Sequence, residues 1–282
     1  MRVGLVGSPA HPDLRAVVDR ARLKADELGM ELFVDDVVAE HTGSDLQDLE
    51  THFADVDAML TLGGDGTFLR GAALAGPHGI PILGCNLGHL GFLTAGPASA
   101  LEDMLGQLGA GTCVEEKRLA LEIECGGERF YAVNDAVVHK SGAARLLRVR
   151  VQIDGDPVGQ YSADGIIVST ATGSTAYSLS AGGPILVPSL DAIVAAPICP
   201  HTLAIRPLVV SAESTIEIDI LSGMHGTLLT VDGEASRELE SGDRVVIKRS
   251  KDPLRLLRLP DDSFFSVLRR KLRWGDVRPD EE

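Results

Sequence analysis

The chain has 282 residues, and 41 acidic against 26 basic side chains give it a net charge of −15. Hydrophobic residues make up 44% of the sequence, which is enough for a substantial core and excludes disorder as the main state. An acidic chain repels duplex nucleic acid and anionic lipid, and no apolar run reaches the ~18–20 residues of a membrane span, so we expect neither nucleic acid nor a membrane as a partner.

The first 112 residues alternate strand and helix patterns. Strands are predicted at residues 3–6, 31–34, 58–62 and 80–83. Apolar residues at helical spacing predict helices at residues 12–29, 67–74 and 98–108. Strands that alternate with helices indicate βαβ units and a parallel sheet, with ligands at the carboxyl ends of its strands. We therefore predict a Rossmann-like α/β domain over residues 1–112.

The apolar period changes to two after about residue 112. Leu147, Val149 and Val151 alternate with polar residues, as in a strand with one buried face. Further strands are predicted at residues 131–139, 165–169, 216–220, 228–232 and 244–248. We therefore predict an α/β plus all-β protein, with a β-rich, sandwich-like domain over residues 113–250. Residues 251–282 form a C-terminal segment whose helical pattern predicts that it packs back on the first domain.

The cysteines and histidines show no metal-binding or disulfide pattern. The cysteines have no CxxC spacing, and the eight histidines show no HExxH pair. Residues 1–7 lack the apolar region and cleavage site of a signal peptide. We therefore expect reduced thiols in a cytoplasmic protein, with the basic cluster at residues 269–273 a solvated helix face.

The sharpest motif is Leu-Gly-Gly-Asp-Gly-Thr at residues 62–67, between a predicted strand and a helix. Glycines let the backbone approach a ligand closely, and the helix N-terminus favours phosphate. Asp65 in such a loop suits a general base or a metal ligand, while the simpler alternative is a tight turn in which Asp65 caps the helix. The chain has neither a GxxxxGK[ST] loop nor a strand followed by GxGxxG, which disfavours a P-loop kinase and an ordinary Rossmann dehydrogenase.

Two other polar motifs interrupt apolar patterns. Residues 169–180 place small hydroxyl residues and Tyr177 after a predicted strand, which suits the reading of a flat base, or else a Ser/Thr-rich turn. Asn134 and Asp135 interrupt the strand-like residues 131–139. An amide and a carboxylate together can bind the two hydroxyls of a ribose, and a plain turn is the alternative.

Taken together, these motifs resemble the NAD kinase family. Residues 63–67 are similar to its glycine-aspartate signature, residues 84–93 to the loop that follows, and residues 134–135 to its Asn-Glu/Asp pair. Residues 170–180 resemble its block with the Thr-Gly-Ser-Thr-Ala-Tyr pattern, and residues 200–203 and 207–209 also fit. The resemblance covers residues 1–275 in the same order. Gly-Gly-Asp-Gly-Thr alone would also suit diacylglycerol or sphingosine kinases.

The resemblance implies a kinase that binds NAD between its two domains. It would transfer the γ-phosphoryl of ATP, or of polyphosphate in some members, to the 2′-hydroxyl of the adenosine ribose, with a divalent metal cation such as Mg²⁺. Asp65 would be the catalytic base. The residues implied to bind NAD are Asp65, Gly66, Arg70, Asn134, Asp135, Arg145, Asp164, Thr175, Ala176, Tyr177, Ser178, Leu179 and Ser180. No metal ligands are assigned, and a homodimer or homotetramer is expected.

The chain departs from the family pattern at three positions. Ala171 stands where proline is common, Glu234 where glutamine is common, and Ser162 where a basic or polar contact is frequent. Two other functions compete with the NAD kinase. A related lipid or sugar kinase would share the glycine motif, but the negative charge and 4% aromatic content disfavour a lipid substrate. A non-catalytic NAD(P)-binding module would not need the carboxylate of Asp65.

Overall fold

A computed structural model of the protein describes residues 1–88, 91–141, 147–202, 204–222, 226–260 and 263–274. The chain divides into two compact units. Unit 1 takes residues 1–117 together with the C-terminal residues from 255, and unit 2 takes residues 118–254. Within the described residues, no helix has the length and apolar character needed to cross a membrane.

Twenty strands and seven α-helices build the described parts of these units. The strands are β1 (Arg2–Gly7), β2 (Glu31–Val34), β3 (Gln47–Asp48), β4 (Ala58–Leu62), β5 (Ile82–Asn86), β6 (Gly96–Pro97), β7 (Val114–Arg118), β8 (Leu121–Cys125), β9 (Glu128–Ala132), β10 (Asp135–Lys140), β11 (Leu147–Ile153), β12 (Asp156–Ala163), β13 (Gly165–Thr170), β14 (Ala192–Ile198), β15 (Leu208–Ser211), β16 (Ile216–Ser222), β17 (Thr227–Val231), β18 (Glu234–Leu239), β19 (Arg244–Arg249) and β20 (Leu254–Arg258). The helices are α1 (Leu14–Leu28), α2 (Asp36–Thr42), α3 (Leu49–His52), α4 (Asp65–Ala75), α5 (Leu101–Ala110), α6 (Tyr177–Ser180) and α7 (Phe264–Leu272).

Unit 1 is built on an eight-stranded sheet in the order β3-β2-β1-β4-β5-β20-β7, with β6 paired to β5. The pairs from β3 through β20 are parallel. Every residue of β4 and β5 is buried, as expected for central strands of a parallel sheet. Because the glycine motif directly follows β4, this arrangement places it at the carboxyl edge of the sheet.

Helix α1 shows how the local pattern produces this unit. Its buried residues recur at helical spacing and join the apolar core of the sheet. The helix ends where Gly29 adopts a left-handed φ of 66°, and the Gly29 N–H returns to carbonyls of the last turn. The periodicity and the glycine therefore predicted this helix to within two residues.

Unit 2 consists of two six-stranded antiparallel sheets. Their strand orders are β15-β14-β13-β10-β17-β18 and β12-β11-β16-β19-β8-β9. Leu147, Val149 and Val151 on β11 are buried in an apolar core to which both sheets contribute, while Arg148 and Arg150 are exposed. The period-two pattern thus corresponds to one inner and one outer face. The α/β plus β-sandwich prediction is confirmed.

The predicted single strand at residues 131–139 is wrong in detail. The chain leaves β9 at Ala132 and enters β10, which belongs to the other sheet, at Asp135. Val133 and Asn134 connect the two, and their backbone N–H groups bond to a side chain rather than to a neighbouring strand. The polar residue Asn134 therefore lies between two strands of different sheets and not inside one strand.

The C-terminal segment lies in unit 1, as predicted. Strand β20 extends the parallel sheet beside β5, with Leu256 and Leu257 in register with Ile82 and Leu83. Helix α7 follows it and buries Val267 and Leu268. The segment therefore completes the first unit rather than forming a separate tail.

Candidate functional site

The glycine-rich loop of unit 1 joins β4 to α4. Gly64 is the N-terminal cap of α4, and Asp65 is its first residue. A Cβ at Gly63 would lie 2.2 Å from the hydroxyl oxygen of Thr67, so the close approach favours glycine there. Gly64 and Gly66 are exposed, and a Cβ at either would meet open space. The loop therefore presents backbone without side chains at the positive end of an 11-residue helix, which suits phosphate.

A second loop holds the carboxylate of Asp65. Its Oδ2 accepts the backbone N–H of Phe92 at 3.0 Å, and its Oδ1 accepts the N–H of Leu93 at 3.1 Å. A Cβ at Gly91 would stand 1.9 Å from Oδ1, so the loop needs glycine to come this close. Each carboxylate oxygen has two lone pairs and accepts one hydrogen bond from the described residues, which leaves one acceptor position on each for a ligand within that part of the chain. Asp65 is half-buried and is oriented while still able to accept a proton.

Asp65 does not cap its own helix. The start of α4 has no side-chain capping bond, and both carboxylate oxygens accept hydrogen bonds from residues 92–93 instead. This geometry replaces the simpler reading of the motif as a turn with a helix cap. The carboxylate joins two sequence motifs that a capping role would leave separate.

The second loop has its own internal bonds. Asn86, at the end of β5, is 3% exposed, and its side-chain oxygen accepts the N–H of Gly88 at 2.8 Å. The hydroxyl of Thr94 accepts the N–H of Gly91 at 3.3 Å. Residues 89–90 lie outside the described part of the chain. The described residues on either side of them are therefore bonded by buried polar side chains.

Arg70 faces a different set of partners from Asp65. Its guanidinium donates to the carbonyl oxygen of Gly7 at 2.5 Å and to the carboxylate of Asp35 at 3.0 Å. Asp35 in turn accepts the N–H of Val38 and caps α2. Burial raises the pKa of Asp35, while the Val38 N–H and Arg70 act in the opposite direction. Arg70 therefore ties α4 to β1 and α2.

In unit 2, the carboxylate of Asp232 binds three successive peptide groups. It accepts the backbone N–H of Val133 at 2.7 Å, of Asn134 at 2.7 Å and of Asp135 at 3.0 Å. Asp232 has a left-handed φ of 49°, and its own N–H donates to the carbonyl of Asp135 at 2.9 Å. This network fixes the connection between β9 and β10 and so sets the direction of the Asn134 and Asp135 side chains.

Asp135 and Asp232 form a carboxyl pair in a desolvated environment. Asp135 is 4% exposed, and burial raises its pKa to about 7, with a further contribution from Asp232. Burial also raises the pKa of Asp232 to about 6, although its three N–H donors lower it. Two such neighbouring groups titrate as a pair. Burial therefore raises the pKa of both members and favours the protonated form of the pair over that of isolated carboxyls.

The carbonyl groups of Val133 and Asn134, which connect β9 to β10, are bonded to the end of β13. The Asn134 carbonyl oxygen accepts the N–H of Thr170 at 2.9 Å and the hydroxyl of Ser169 at 3.1 Å. The Thr170 hydroxyl donates to the carbonyl of Val133 at 2.6 Å. A Cβ at Gly173 would lie 2.1 Å from the Asn134 oxygen, which explains the glycine in the Thr-Gly-Ser-Thr pattern. The block at residues 170–180 therefore supports the pair at residues 134–135.

A cavity of about 350 Å³ opens at this place in unit 2. Its lining residues are Asn134, Asp135, Val137, His139, Ala176, Tyr177, Thr230, Asp232 and Gly233. The volume falls in the range of small-molecule sites, and an apolar wall with a few polar groups is typical of them. Asn134, Asp135, Ala176 and Tyr177, which come from two of the sequence motifs, thus line one cavity.

The remaining hydroxyl block contributes mostly support. The hydroxyl of Ser174 donates to the carbonyl of Ala171 at 2.7 Å and accepts the N–H of Leu186 at 2.9 Å. The hydroxyl of Thr175 donates to the carbonyl of Thr172 at 3.3 Å. These bonds shape the short 3₁₀ turn at Gly173–Thr175 that precedes the cavity wall.

The last residues of this block differ in exposure. Tyr177 lines the cavity and is 47% exposed, Leu179 is half-buried, and Ser180 is exposed. Ser178 is fully buried, and its hydroxyl has no partner among the described residues. A buried hydroxyl without a partner is uncommon and suits a site that a ligand completes.

Other predicted residues lie elsewhere or outside the described residues. Asp164 is not among the residues that line the cavity, and it pairs with Lys140 at 2.6 Å. Ser162 belongs to β12, opposite Arg148, and Glu234 is exposed at the start of β18. Arg145 lies outside the described residues.

Sequence reasoning missed three polar residues that line the cavity of unit 2, namely His139, Thr230 and Asp232. The His139 Nδ1 donates to the carbonyl of Lys140 at 3.1 Å, so its Nε2 accepts the Thr230 hydroxyl at 2.8 Å in the neutral ring. An Asp-Gly turn at residues 232–233 between two strand patterns was the available signal for Asp232.

Two family descriptions match most of the chain. The ATP-NAD kinase N-terminal domain matches residues 19–112, and the ATP-NAD kinase C-terminal domain matches residues 133–259. Among curated relatives, the NAD kinase of Gemmatimonas aurantiaca is 43% identical over 286 residues, covering 98% of this chain and 97% of that protein. The NAD kinase of Moorella thermoacetica is 46% identical over 235 residues, covering 80% of this chain and 74% of that protein.

Two solved structures share the fold over nearly the whole length. Yeast NADH kinase in complex with NADH superposes with a TM-score of 0.89 at 26% identity, covering all of this chain and 90% of that one. An NAD kinase from Archaeoglobus fulgidus in complex with ATP gives a TM-score of 0.77 at 27% identity, covering 97% of this chain and 99% of that one.

Proposed function

Because the chain belongs to the ATP-NAD kinase family, we propose that the residues described above carry out phosphorylation of NAD. The protein is an NAD kinase, which transfers the γ-phosphoryl group of ATP to the 2′-hydroxyl of the adenosine ribose and yields NADP. The single observation that supports our assignment of residues is the carboxylate of Asp65. It is held by two backbone N–H groups and, as far as the described residues go, has one acceptor position left on each oxygen.

Asp65 is the proton acceptor in this proposal. The 2′-hydroxyl oxygen forms a bond to the γ-phosphorus, the bond from that phosphorus to the bridging oxygen of ADP breaks, and the hydroxyl proton passes to Asp65. Phosphoryl transfer asks little covalent chemistry of the protein, so positioning and charge stabilisation dominate. The glycine backbone at residues 63–66 and the N-terminus of α4 bind phosphate oxygens.

The cavity of unit 2 binds part of the dinucleotide. Asn134 and Asp135 bind ribose hydroxyls, and their side chains are suited to this because their backbone is fixed by Asp232 on one side and by β13 on the other. Tyr177 offers its ring and phenol at the cavity wall. The exposed Ser180 adds a polar contact, while the fully buried Ser178 belongs to the wall behind Tyr177. Arg70 supports the position of α4, which follows the glycine-rich loop, through its bonds to Gly7 of β1 and to Asp35 at the start of α2.

The divalent cation enters with ATP. Among the described residues, no three His, Cys, Asp or Glu side chains come together as a metal cluster. A Mg²⁺ ion bound to ATP needs no such cluster, since phosphate oxygens and water supply most of its ligands and one carboxylate suffices from the protein. We therefore assign the cation to the metal–ATP substrate, where it neutralises charge on the phosphates.

The protein is proposed to act in the cytoplasm as a homo-oligomer. Support for association comes from unit 2, where Val158, Leu208 and Val209 are more than 40% exposed. Val158 and Leu208 belong to β12 and β15, which are edge strands of their sheets, and exposed apolar edges favour further pairing. Light scattering on the purified protein measures the assembly directly.

The reaction is tested with purified protein, NAD and Mg²⁺, with ATP or inorganic polyphosphate as the donor in parallel. A dehydrogenase that accepts only NADP detects the product. We expect NADP with ATP, and the second arm decides whether polyphosphate replaces it. A protein that binds NAD by calorimetry and forms no NADP with either donor would be a binding module, and the proposed role of Asp65 would be withdrawn.

A further inference from the structure

The C-terminal segment of unit 1 contributes a buried guanidinium next to the Asp65 loop. Arg258 is the last residue of β20, and its side chain is only 4% exposed. A buried arginine must have its charge paired and its donors bonded. The Arg258 Nη2 donates to the carbonyl oxygen of Phe92 at 2.8 Å, and its Nε lies 3.6 Å from the carboxylate of Glu116 on β7.

The carbonyl of Phe92 and the N–H of Leu93 belong to one peptide group. In a trans peptide these two bonds point to opposite sides. Arg258 binds the oxygen on one side at 2.8 Å, and the carboxylate of Asp65 accepts the N–H on the other side at 3.1 Å. A rotation of this peptide would break both bonds at once. The charged donor also polarises the peptide, which strengthens the bond from its N–H to Asp65.

Helix α7 covers the same loop from another direction. The ring of Phe92 lies 6.2 Å from the ring of Phe264, measured between centroids, and the ammonium of Lys271 lies 5.3 Å from the centre of the Phe92 ring. Both contacts come from the segment that follows Arg258. The loop at residues 91–93 is therefore held by the C-terminal segment through its backbone and through a side chain.

We propose that Arg258 is a positioning residue for Asp65: it fixes the peptide between Phe92 and Leu93, so that this peptide aims its N–H at the carboxylate that accepts the substrate proton. The inference rests on the proposed function of Asp65. It gives the C-terminal segment a role in catalysis in addition to its role in the sheet. The effect is on turnover, because Arg258 acts on the orientation of the base.

Arg255, on the same strand, provides a matched control. Its guanidinium also donates to a backbone carbonyl, that of Gly79, at 2.8 Å, and it also pairs with a glutamate of β7, Glu115, at 2.7 Å. The side chain of Arg255 is 39% exposed, and its partners are not in the loop that binds Asp65. Each arginine donates to a backbone carbonyl and lies beside a glutamate of β7, but of the two only Arg258 touches the peptide that bonds to the catalytic carboxylate.

The experiment compares Arg258→Met with Arg255→Met in the full-length protein. Two quantities are measured on each folded variant: steady-state NADP formation, and hydrogen exchange at the amide of Leu93. We expect Arg258→Met to lower kcat at least about tenfold with the KM for NAD within about twofold, since small misplacements of a catalytic group cost 10–100-fold. Exchange at Leu93 should accelerate at least about tenfold. Arg255→Met should leave both quantities within about twofold.

Arg258→Lys covers the case in which Arg258→Met does not fold. A lysine keeps the charge and can donate to the Phe92 carbonyl but lacks the planar fork of arginine, so we expect faster Leu93 exchange and a smaller loss of kcat. Unchanged exchange at Leu93 in a folded Arg258 variant would overturn the inference, as would equal losses of kcat in the Arg258 and Arg255 variants. Failure of the wild-type protein to form NADP would instead remove the proposed function, while the exchange measurement would still test the contact.

Discussion

Asp65 in unit 1 and Asp232 in unit 2 both accept hydrogen bonds from backbone N–H groups, but the two carboxylates differ in their proposed roles. Among the described residues, two backbone N–H groups donate to Asp65, which leaves two of its four lone pairs unused there. Asp232 accepts three N–H groups, lies beside a second carboxyl and has a pKa raised to about 6 by burial. A carboxylate whose lone pairs are mostly bonded to backbone shapes a site, whereas one that keeps them can accept a proton from a substrate.

The largest effect is expected from substitution of Asp65, the carboxylate that we propose accepts the substrate proton. Asp65→Asn removes the charge and one acceptor oxygen, so the base is lost and one N–H of residues 92–93 faces an amide. A positioned general base is worth about 10²–10⁴ in rate, so we expect NADP formation to fall at least about a hundredfold, with NAD affinity changed by a small factor. Steady-state turnover and calorimetry on one preparation measure the two quantities.

Asp36→Asn is the control for that change. Asp36 is the first residue of α2, as Asp65 is of α4, but it is exposed. Its substitution should leave turnover within about twofold. If Asp65→Asn retained near-normal turnover with intact NAD binding, the carboxylate would have only its structural bond to the second loop, and the proposed mechanism would be wrong.

The next effect concerns the connection that Asp232 holds. Asn134→Ala leaves the three backbone bonds to Asp232 possible but removes the side chain that faces the cavity. We expect the KM for NAD to rise at least about tenfold, since loss of a buried hydrogen bond costs on the order of 1–3 kcal/mol. Asn134→Asp keeps an acceptor and should lose less. An unchanged KM in a folded Asn134→Ala protein would remove this residue from the binding site.

The pH dependence of stability tests the carboxyl pair in unit 2. The pKa of Asp135 is raised to about 7 in the folded protein, whereas an unfolded aspartate titrates near about 3.9. The folded state therefore holds this proton more tightly, so the contribution of Asp135 favours folding below about pH 4 and is lost as the pH rises through about 7. Asp135→Asn has no carboxyl group to titrate, so it avoids this loss of stability. At pH 8 we expect its free energy of unfolding in urea to exceed that of the wild type by about 1–3 kcal/mol, and at pH 5 we expect a smaller difference.

The measurement is urea unfolding of the wild type and of Asp135→Asn at both pH values. Equal gains for Asp135→Asn at pH 5 and pH 8 would mean that the desolvated carboxyl pair does not govern the stability of this region. The comparison between the two units would then rest on geometry alone.

The local patterns of the sequence predicted the elements with a clear apolar period and the position of the glycine-rich loop, but not the break between β9 and β10. Helix α1 and the alternation along β11 follow from periodicity, and the glycines at residues 63–66 indicated a phosphate loop. The bonds that orient the side chains were not predictable in this way, because Asp232 is 97 residues from Asp135 and Arg258 is 166 residues from Phe92. The Asp-Gly sequence at residues 232–233 indicates a turn but not which groups Asp232 binds, and Arg258 in a strand pattern looks like part of a solvated face.

The smallest effect is expected from substitution of Glu234, which lies two residues after Asp232 in the chain. It is exposed at the first position of β18, opposite Val231, and its negative charge contributes to the raised pKa of Asp232. Glu234→Gln introduces the residue that the resemblance to NAD kinases leads us to expect here and removes that charge. Because the three N–H bonds to Asp232 remain, we expect turnover within about tenfold of the wild type, a change of about 1.4 kcal/mol or less. A fall of a hundredfold in steady-state NADP formation would mean that Glu234 itself contacts the reacting groups. Unit 2 would then take part in the chemical step as well as shaping the binding site.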